Sequence, residues 1–282
     1  MKKRRTKVVV GDLAYPECPR WREGTLYFSD QHDGKVWRLD GQRLRVVLEL
    51  ASEPAGLGWD AQGELLVVSM QDRKLLRVRG GRTNKVADLR TLHPGLSNEL
   101  LVDASGRSYV GNIGFDFYGG EEPRTTVLAT VSRTGRIKVA ADDLLVPNGM
   151  VFADEGRRLI VAESFRHQLT SFEVKANGVL TGRKVFADLG EQIPDGICLD
   201  AEGGIWFASI GAHEVVRVVE GGRVTDRVST GDAEAIACTL GGPDLRTLFV
   251  CTAGTFDPTR TAVERGGAIE SVRVDVPGAG SP

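Results

Sequence analysis

The chain has 282 residues, 41% of them apolar and 26% charged, with a formal net charge of −2. This is the composition of an ordinary globular protein, and the near balance of charge gives no electrostatic basis for binding nucleic acid. No apolar run approaches the roughly 20 residues of a membrane-spanning helix, and no Pro/Ser-rich linker divides the chain, so one domain over residues 1–282 with no membrane contact is expected.

At the N-terminus, the basic stretch Met1–Arg5 is followed by Val8-Val9-Val10-Gly11-Asp12, too short for the apolar core of a signal peptide and better read as a strand. The basic residues are expected to form a solvated tail and the protein to be cytoplasmic. Beyond this point a phrase recurs, an Asp-x-x-Gly turn followed by a short apolar strand. It is complete at Asp60-Ala61-Gln62-Gly63 before Leu65, at Asp103-Ala104-Ser105-Gly106 before Ser108, and at Asp200-Ala201-Glu202-Gly203 before Ile205. Degenerate copies are Leu26-Tyr27-Phe28, Asp154-Glu155-Gly156 before Leu159, and Gly242-Pro243-Asp244 before Leu248.

The six strands begin at residues 26, 65, 108, 159, 205 and 248, at intervals of 39, 43, 51, 46 and 43 residues. That is the period of a four-stranded propeller blade. Solenoids of helix pairs share the period, but runs of four to six β-branched and aromatic residues bounded by Gly and Asp are too short for helices. The expected fold is all-β, a six-bladed β-propeller around a central channel. Cys198 and Cys238 occupy matching places in adjacent repeats. Together with Cys18 and Cys251 they show no zinc spacing, and they read as small buried residues.

In such a ring, polar residues at one repeat phase meet in the channel although they lie far apart in sequence. Nine to eleven residues before the respective strand starts stand Glu17, Asn98, Asn148 and Asp195, with a proline directly before Glu17, Asn148 and Asp195. Two carboxylates and two carboxamides packed together away from water would be penalised by several kcal/mol. A divalent cation removes that cost, and an all-oxygen set suits a hard ion such as Ca²⁺, Mg²⁺ or Mn²⁺.

Pro16-Glu17 followed by Trp21, then Pro147-Asn148-Gly149-Met150, Pro194-Asp195-Gly196, and Cys238-Thr239-Leu240-Gly241-Gly242 resemble the ordered motifs of the senescence-marker protein/gluconolactonase/luciferin-regenerating-enzyme family, over roughly residues 15–253. The resemblance implies one divalent cation in the channel of a six-bladed propeller, held by Glu17, Asn148 and Asp195. Ca²⁺ is the first choice, with Mg²⁺, Mn²⁺ and Zn²⁺ as alternatives. It further implies that Asn98 positions the substrate, that the chemistry is metal-assisted hydrolysis of a lactone, and that the general base is Asp195, with Glu17 as the other candidate. The alternatives left open are a phosphotriesterase-like esterase and a non-catalytic ligand-binding propeller. No WD-type repeat signature supports a protein-interaction scaffold.

Two departures from the gluconolactonase pattern bear on the substrate. Where those enzymes read Arg-x-Asn-Asp, this chain has Leu96-Ser97-Asn98-Glu99, so the sugar-binding Arg is missing and Glu99 stands beside Asn98 as a second substrate-binding candidate. The insertion at 111–122 is rich in Gly and aromatic residues and is expected to form a lid, with Phe115 and Phe117 on the substrate. A small lactone or ester less polar than a free sugar lactone follows. The histidines (His32, His93, His167 and His213) form no dyad, and no Gly-x-Ser-x-Gly elbow occurs.

Overall fold

The computed structural model describes residues 4–280. Among them lie six sheets arranged as the blades of a β-propeller. The innermost strands are Pro16–Arg22, Pro54–Trp59, Ser97–Val102, Pro147–Ala153, Ile193–Leu199 and Glu234–Gly241. Each pairs antiparallel with the next strand of its blade, and these second strands begin at Thr25, Leu65, Ser108, Arg158, Ile205 and Thr247, within one residue of the starts read from the repeat.

The recurring Asp-x-x-Gly is the hairpin between the first and second strands. Asp60 Oδ1 accepts from the backbone N–H groups of Gln62 (2.9 Å) and Glu64 (3.0 Å), and Asp103 and Asp200 accept from the residues two and four positions on in the same way. Gly63, at φ +78°, occupies the left-handed region that closes the turn. The second carboxylate oxygen ties the turn to the third strand, with Arg77 Nε at 2.8 Å from Asp60 and Arg217 Nε at 2.5 Å from Asp200.

The ring closes through the N-terminus. Lys7–Leu13 forms the outermost strand of the last blade, antiparallel to Gly267–Arg273. Arg4 and Arg5 correct the expectation of a solvated tail. They pair in parallel with Val228 and Ser229 of the preceding blade, and the Arg4 guanidinium reaches Asp226 and, at 2.7 Å, Asp275. The rest of the basic stretch, Met1–Lys3, lies outside the described residues. Trp21 of the first blade stacks on Phe249 of the last, with centroids 5.5 Å apart.

Between blades the core is apolar, built from alternating inward residues such as Val151, Ile160, Leu169, Phe186, Ile197 and Phe207. All four cysteines are free and buried, with the sulfurs of Cys198 and Cys238 3.7 Å apart. No helix among the described residues is long and apolar enough to cross a membrane.

What positions the centre is a shared irregularity. Every innermost strand slips register against its neighbour near its start: between Glu17 and Arg20, Pro54 and Leu57, Ser97 and Leu100, Pro147 and Met150, Pro194 and Ile197, and Ala235 and Ala237. A bulge re-aims side chains that regular pleating would send into the sheet stack. Pro16, Pro54 and Pro147 begin their strands and Pro194 is the second residue of its own, at the strand ends where proline is tolerated. Glycines then let adjacent innermost strands touch. A Cβ on Gly149 would lie 2.5 Å from Ile197 N and 2.6 Å from the Asp195 carbonyl oxygen, and one on Gly196 2.3 Å from the Ala237 Cβ. Gly149→Ala is therefore expected to lower unfolding free energy by about 1–3 kcal/mol, as overpacking does. Urea denaturation beside the exposed control Gly254→Ala, which meets no neighbour within 4 Å and has no positive φ, would show it.

Candidate functional site

The bulged segments deliver Glu17, Asn98, Asn148 and Asp195 from four different blades to the floor of one cavity of about 330 Å³. All four are at least nine-tenths buried. Asn98 Nδ2 lies 3.5 Å from Asn148 Oδ1. The Asn148 amide also donates to Ser164 Oγ at 3.3 Å, and that hydroxyl donates to the Pro194 carbonyl at 2.7 Å, next to Asp195. Glu17 Oε2 accepts from the Cys18 N–H at 2.6 Å, which the Cys18 backbone reaches at φ +50° within its bulge.

These carboxylates are poorly served by the protein itself. Burial first, then the charges of Asp195 and Glu99, hold the Glu17 carboxyl well above the usual range. Burial and then Glu99 do the same to Asp195, against a hydrogen bond from Asn148. Asp195 Oδ1 is buried without any hydrogen-bond partner. A carboxylate oxygen left unsatisfied beside a second carboxylate, with amide oxygens near by, fits a hard cation.

Tyr15, which the sequence reading passed over, also lines the cavity. Burial and then the charges of Asp195 and Glu17 push its phenol well above the ordinary value, so it stays protonated as a donor. It stacks on His32 with centroids 4.5 Å apart. Gln31, at the end of the same blade's second strand, adds another amide. Only the three-dimensional hairpin brings Tyr15 and Gln31 to the channel, and their repeat phase carries no signal.

Phe117 and Tyr118, from the 113–125 segment, line the cavity at 43% and 51% exposure, as does Phe256. Phe256 packs edge-on against Tyr15, with centroids 6.2 Å apart, and precedes the short helix Pro258–Glu264, whose N-cap Asp257 accepts from Thr259 N at 2.9 Å. Ile113, Val146, Phe165, Ile193, Ile210 and Met70 complete a largely apolar wall that contains no Lys or Arg.

Two residues expected at the substrate do not line this cavity. Phe115 is 2% exposed and packs behind the wall against Phe117 and Phe165, because Gly114 at φ +92° turns the segment inward beneath its own tip. Glu99, also 2% exposed, points below the floor, where the Arg20 guanidinium meets it at 2.9 Å. Its neighbour Asn98, within the same bulge, faces the cavity.

Residues 15–254 match the sequence family described as the SMP-30/Gluconolactonase/LRE-like region. The chain belongs to this family. Members similar to it include the 6-deoxy-6-sulfogluconolactonase of Pseudomonas putida, 28% identical across 94% of this chain and 93% of that protein. The pentonolactonase XacC of Haloferax volcanii is 26% identical across 88% of this chain and 85% of its own length. Among solved structures, the calcium-binding protein regucalcin from Agrobacterium tumefaciens superposes with a TM-score of 0.83 at 22% identity, covering 100% of this chain and 99% of that one. At that identity the likeness is one of fold.

The innermost strand that carries Asn98 in this SMP-30/Gluconolactonase/LRE-like chain is anchored by His93, which is fully buried, with Nδ1 2.7 Å from Ser97 Oγ. Burial, then the charge of Arg73, pushes its imidazole down to about 4 from 6.5. Between those two values the unfolded chain binds a proton that the folded chain does not, so this contribution is present above 6.5 and lost as pH falls through about 4. In chelated protein, the loss of unfolding free energy between pH 7 and 4 is expected to be shallower in His93→Gln than in wild type. Equal slopes would count against it.

Proposed function

We propose that this chain is a metal-dependent hydrolase that opens lactones. The observation that carries the reading is the pair of buried carboxylates, Glu17 and Asp195, facing one cavity with Asp195 Oδ1 unsatisfied. The lactonase names of the Pseudomonas and Haloferax relatives support the reaction class. Glu17, Asn148 and Asp195 would hold the cation, Ca²⁺ first among the hard ions that an oxygen set accepts. Once bound, such an ion supplies Lewis-acid polarisation of the lactone carbonyl and stabilises the charge developing on its oxygen.

The remaining work falls to the chain's own groups. Ionised Asp195, with Oδ1 free of any protein partner, would take the proton from the attacking water, and Glu17 is the other carboxylate within the same cavity. The Asn98 amide and the Tyr15 phenol, kept protonated by its surroundings, are donors for the ring oxygen and hydroxyl of the substrate. The apolar wall would keep bulk water away from the acyl centre while leaving room for the attacking molecule.

The wall also bears on substrate choice. Phe117, Tyr118, Phe165 and Phe256 line the cavity, and with no Lys or Arg in the lining among the described residues, no cationic side chain there pairs with a sulfonate or another anionic substituent. A lactone with an aliphatic or aromatic substituent fits this lining better than a polyhydroxylated one, since its apolar area is removed from water while few hydroxyls are left unpaired.

Chelated enzyme reloaded with single metals should hydrolyse a substituted γ-lactone or dihydrocoumarin at least about tenfold better in kcat/KM than glucono-lactone, the effect of one or two methylene-sized contacts. Asp195→Ala should lose roughly 10²–10⁴-fold or more in kcat. Phe117→Ala should raise KM for the apolar lactone while leaving glucono-lactone little changed. Metal binding without turnover of any lactone or aryl phosphotriester would sink the hydrolase reading in favour of a ligand-binding propeller.

A further inference from the structure

Beneath the cavity floor lies a charged group that the proposed reaction does not use. Arg20 is 6% exposed, and the whole of its guanidinium is engaged. Nε donates to the Leu57 carbonyl at 3.2 Å, Nη1 to the Pro19 carbonyl at 3.0 Å, and Nη2 to both Glu99 Oε2 and the Leu100 carbonyl at 2.9 Å. The contacts join the first three blades on the channel axis.

Glu99 is the partner that matters. Its carboxylate, the Glu17 carboxylate and the Cys18 sulfur lie within 4.8 Å of one another, so Glu99 is near enough to compete for any cation held by Glu17. It is drawn the other way, with Oε2 taken by Arg20 and by the Leu100 N–H at 3.2 Å. The centre of the channel thus carries three buried carboxylates, Glu17, Glu99 and Asp195, against one guanidinium, so that with all three ionised two negative charges are left for a cation to balance. Asp30, the next buried carboxylate along the first blade, is occupied by the Ala14 and Tyr15 N–H groups at 3.2 and 2.6 Å.

We propose that Arg20 is a positioning residue for the cation site: by binding Glu99 from below it withholds that carboxylate from the ion and sets the floor charge to match one divalent cation. The inference rests on the cation reading above. Like charges at short range inside a protein interact by several kcal/mol at an effective dielectric near 20, so a unit change of floor charge must register in metal affinity. A purely mechanical role for the Arg20–Glu99 pair predicts something else. Either single substitution would then lower stability, as breaking a buried pair does, and metal affinity would follow in the same direction for both.

The test is calorimetric titration of metal-stripped protein with Ca²⁺ and, separately, Mn²⁺ at pH 8, read beside thermal unfolding. Wild type is expected to bind one divalent ion. Glu99→Gln, which leaves the Arg20 charge unbalanced, should weaken binding by about tenfold or more. Arg20→Met, which leaves Glu99 unbalanced, should tighten it by a similar factor, and the double variant should return to within about threefold of wild type. Shifts in the same direction, or an unchanged affinity in Glu99→Gln, would overturn the proposal. Glu99→Gln is nearly isosteric and carries the test alone if Arg20→Met does not fold. Absence of any binding to wild type would overturn the cation reading itself, whereas binding abolished by Asp195→Asn but unmoved by Glu99→Gln would leave that reading standing and remove only the role of Arg20.

Discussion

The centre of this propeller is governed by the cost of holding carboxylates together away from water. Glu17, Glu99 and Asp195 come from three blades, and all are buried. Isolated ionised groups in such a place would be disfavoured by several kcal/mol each. The chain answers in two ways. One carboxylate is neutralised from below by Arg20. The other two face an open cavity, where Asp195 Oδ1 has no partner within the protein. The asymmetry separates a structural charge from charges available for chemistry.

That arrangement depends on backbone geometry more than on side-chain packing. The register slip near the start of each innermost strand turns the polar side chains toward the axis, and Gly149 and Gly196 allow the neighbouring strands to approach within van der Waals contact. The irregularities carry conformational cost, visible in the left-handed backbone of Cys18, and they persist because six apolar inter-blade layers and the closing strand Lys7–Leu13 over-determine the ring. Precision at the floor comes from strands, whereas the mouth is built from loops and one short helix, where Phe117, Tyr118 and Phe256 sit. The floor is thus fixed by the propeller scaffold, whereas the entrance rests on connecting segments.

Much of this was legible in the order of residues. Asp-x-x-Gly before an apolar run is a local turn with its own hydrogen bonds, so its three complete copies, with three degenerate ones, located the six second strands to within one residue. The shared phase of Glu17, Asn98, Asn148 and Asp195 then placed them in one channel. What local chemistry does not encode was missed. Arg4 and Arg5 read as a basic tail because their partners, Asp226 and Asp275 for Arg4 and the ladder residue Ser229 for Arg5, lie more than two hundred residues away. Phe115 and Phe117 are two positions apart in a segment that alternation would place on one face, yet the turn at Gly114 buries one behind the other.

The sequence by itself determined the blade period, the number of blades and the identity of the polar residues at the axis, since each depends on short-range turn chemistry repeated at regular intervals. Only the tertiary structure decided that Asn98 faces the cavity while Glu99 faces Arg20, that Tyr15 and Gln31 join the wall, and that the N-terminal strand closes the ring. Those outcomes turn on bulge register and on contacts between distant blades, and a one-residue change in either sends a side chain to the opposite face.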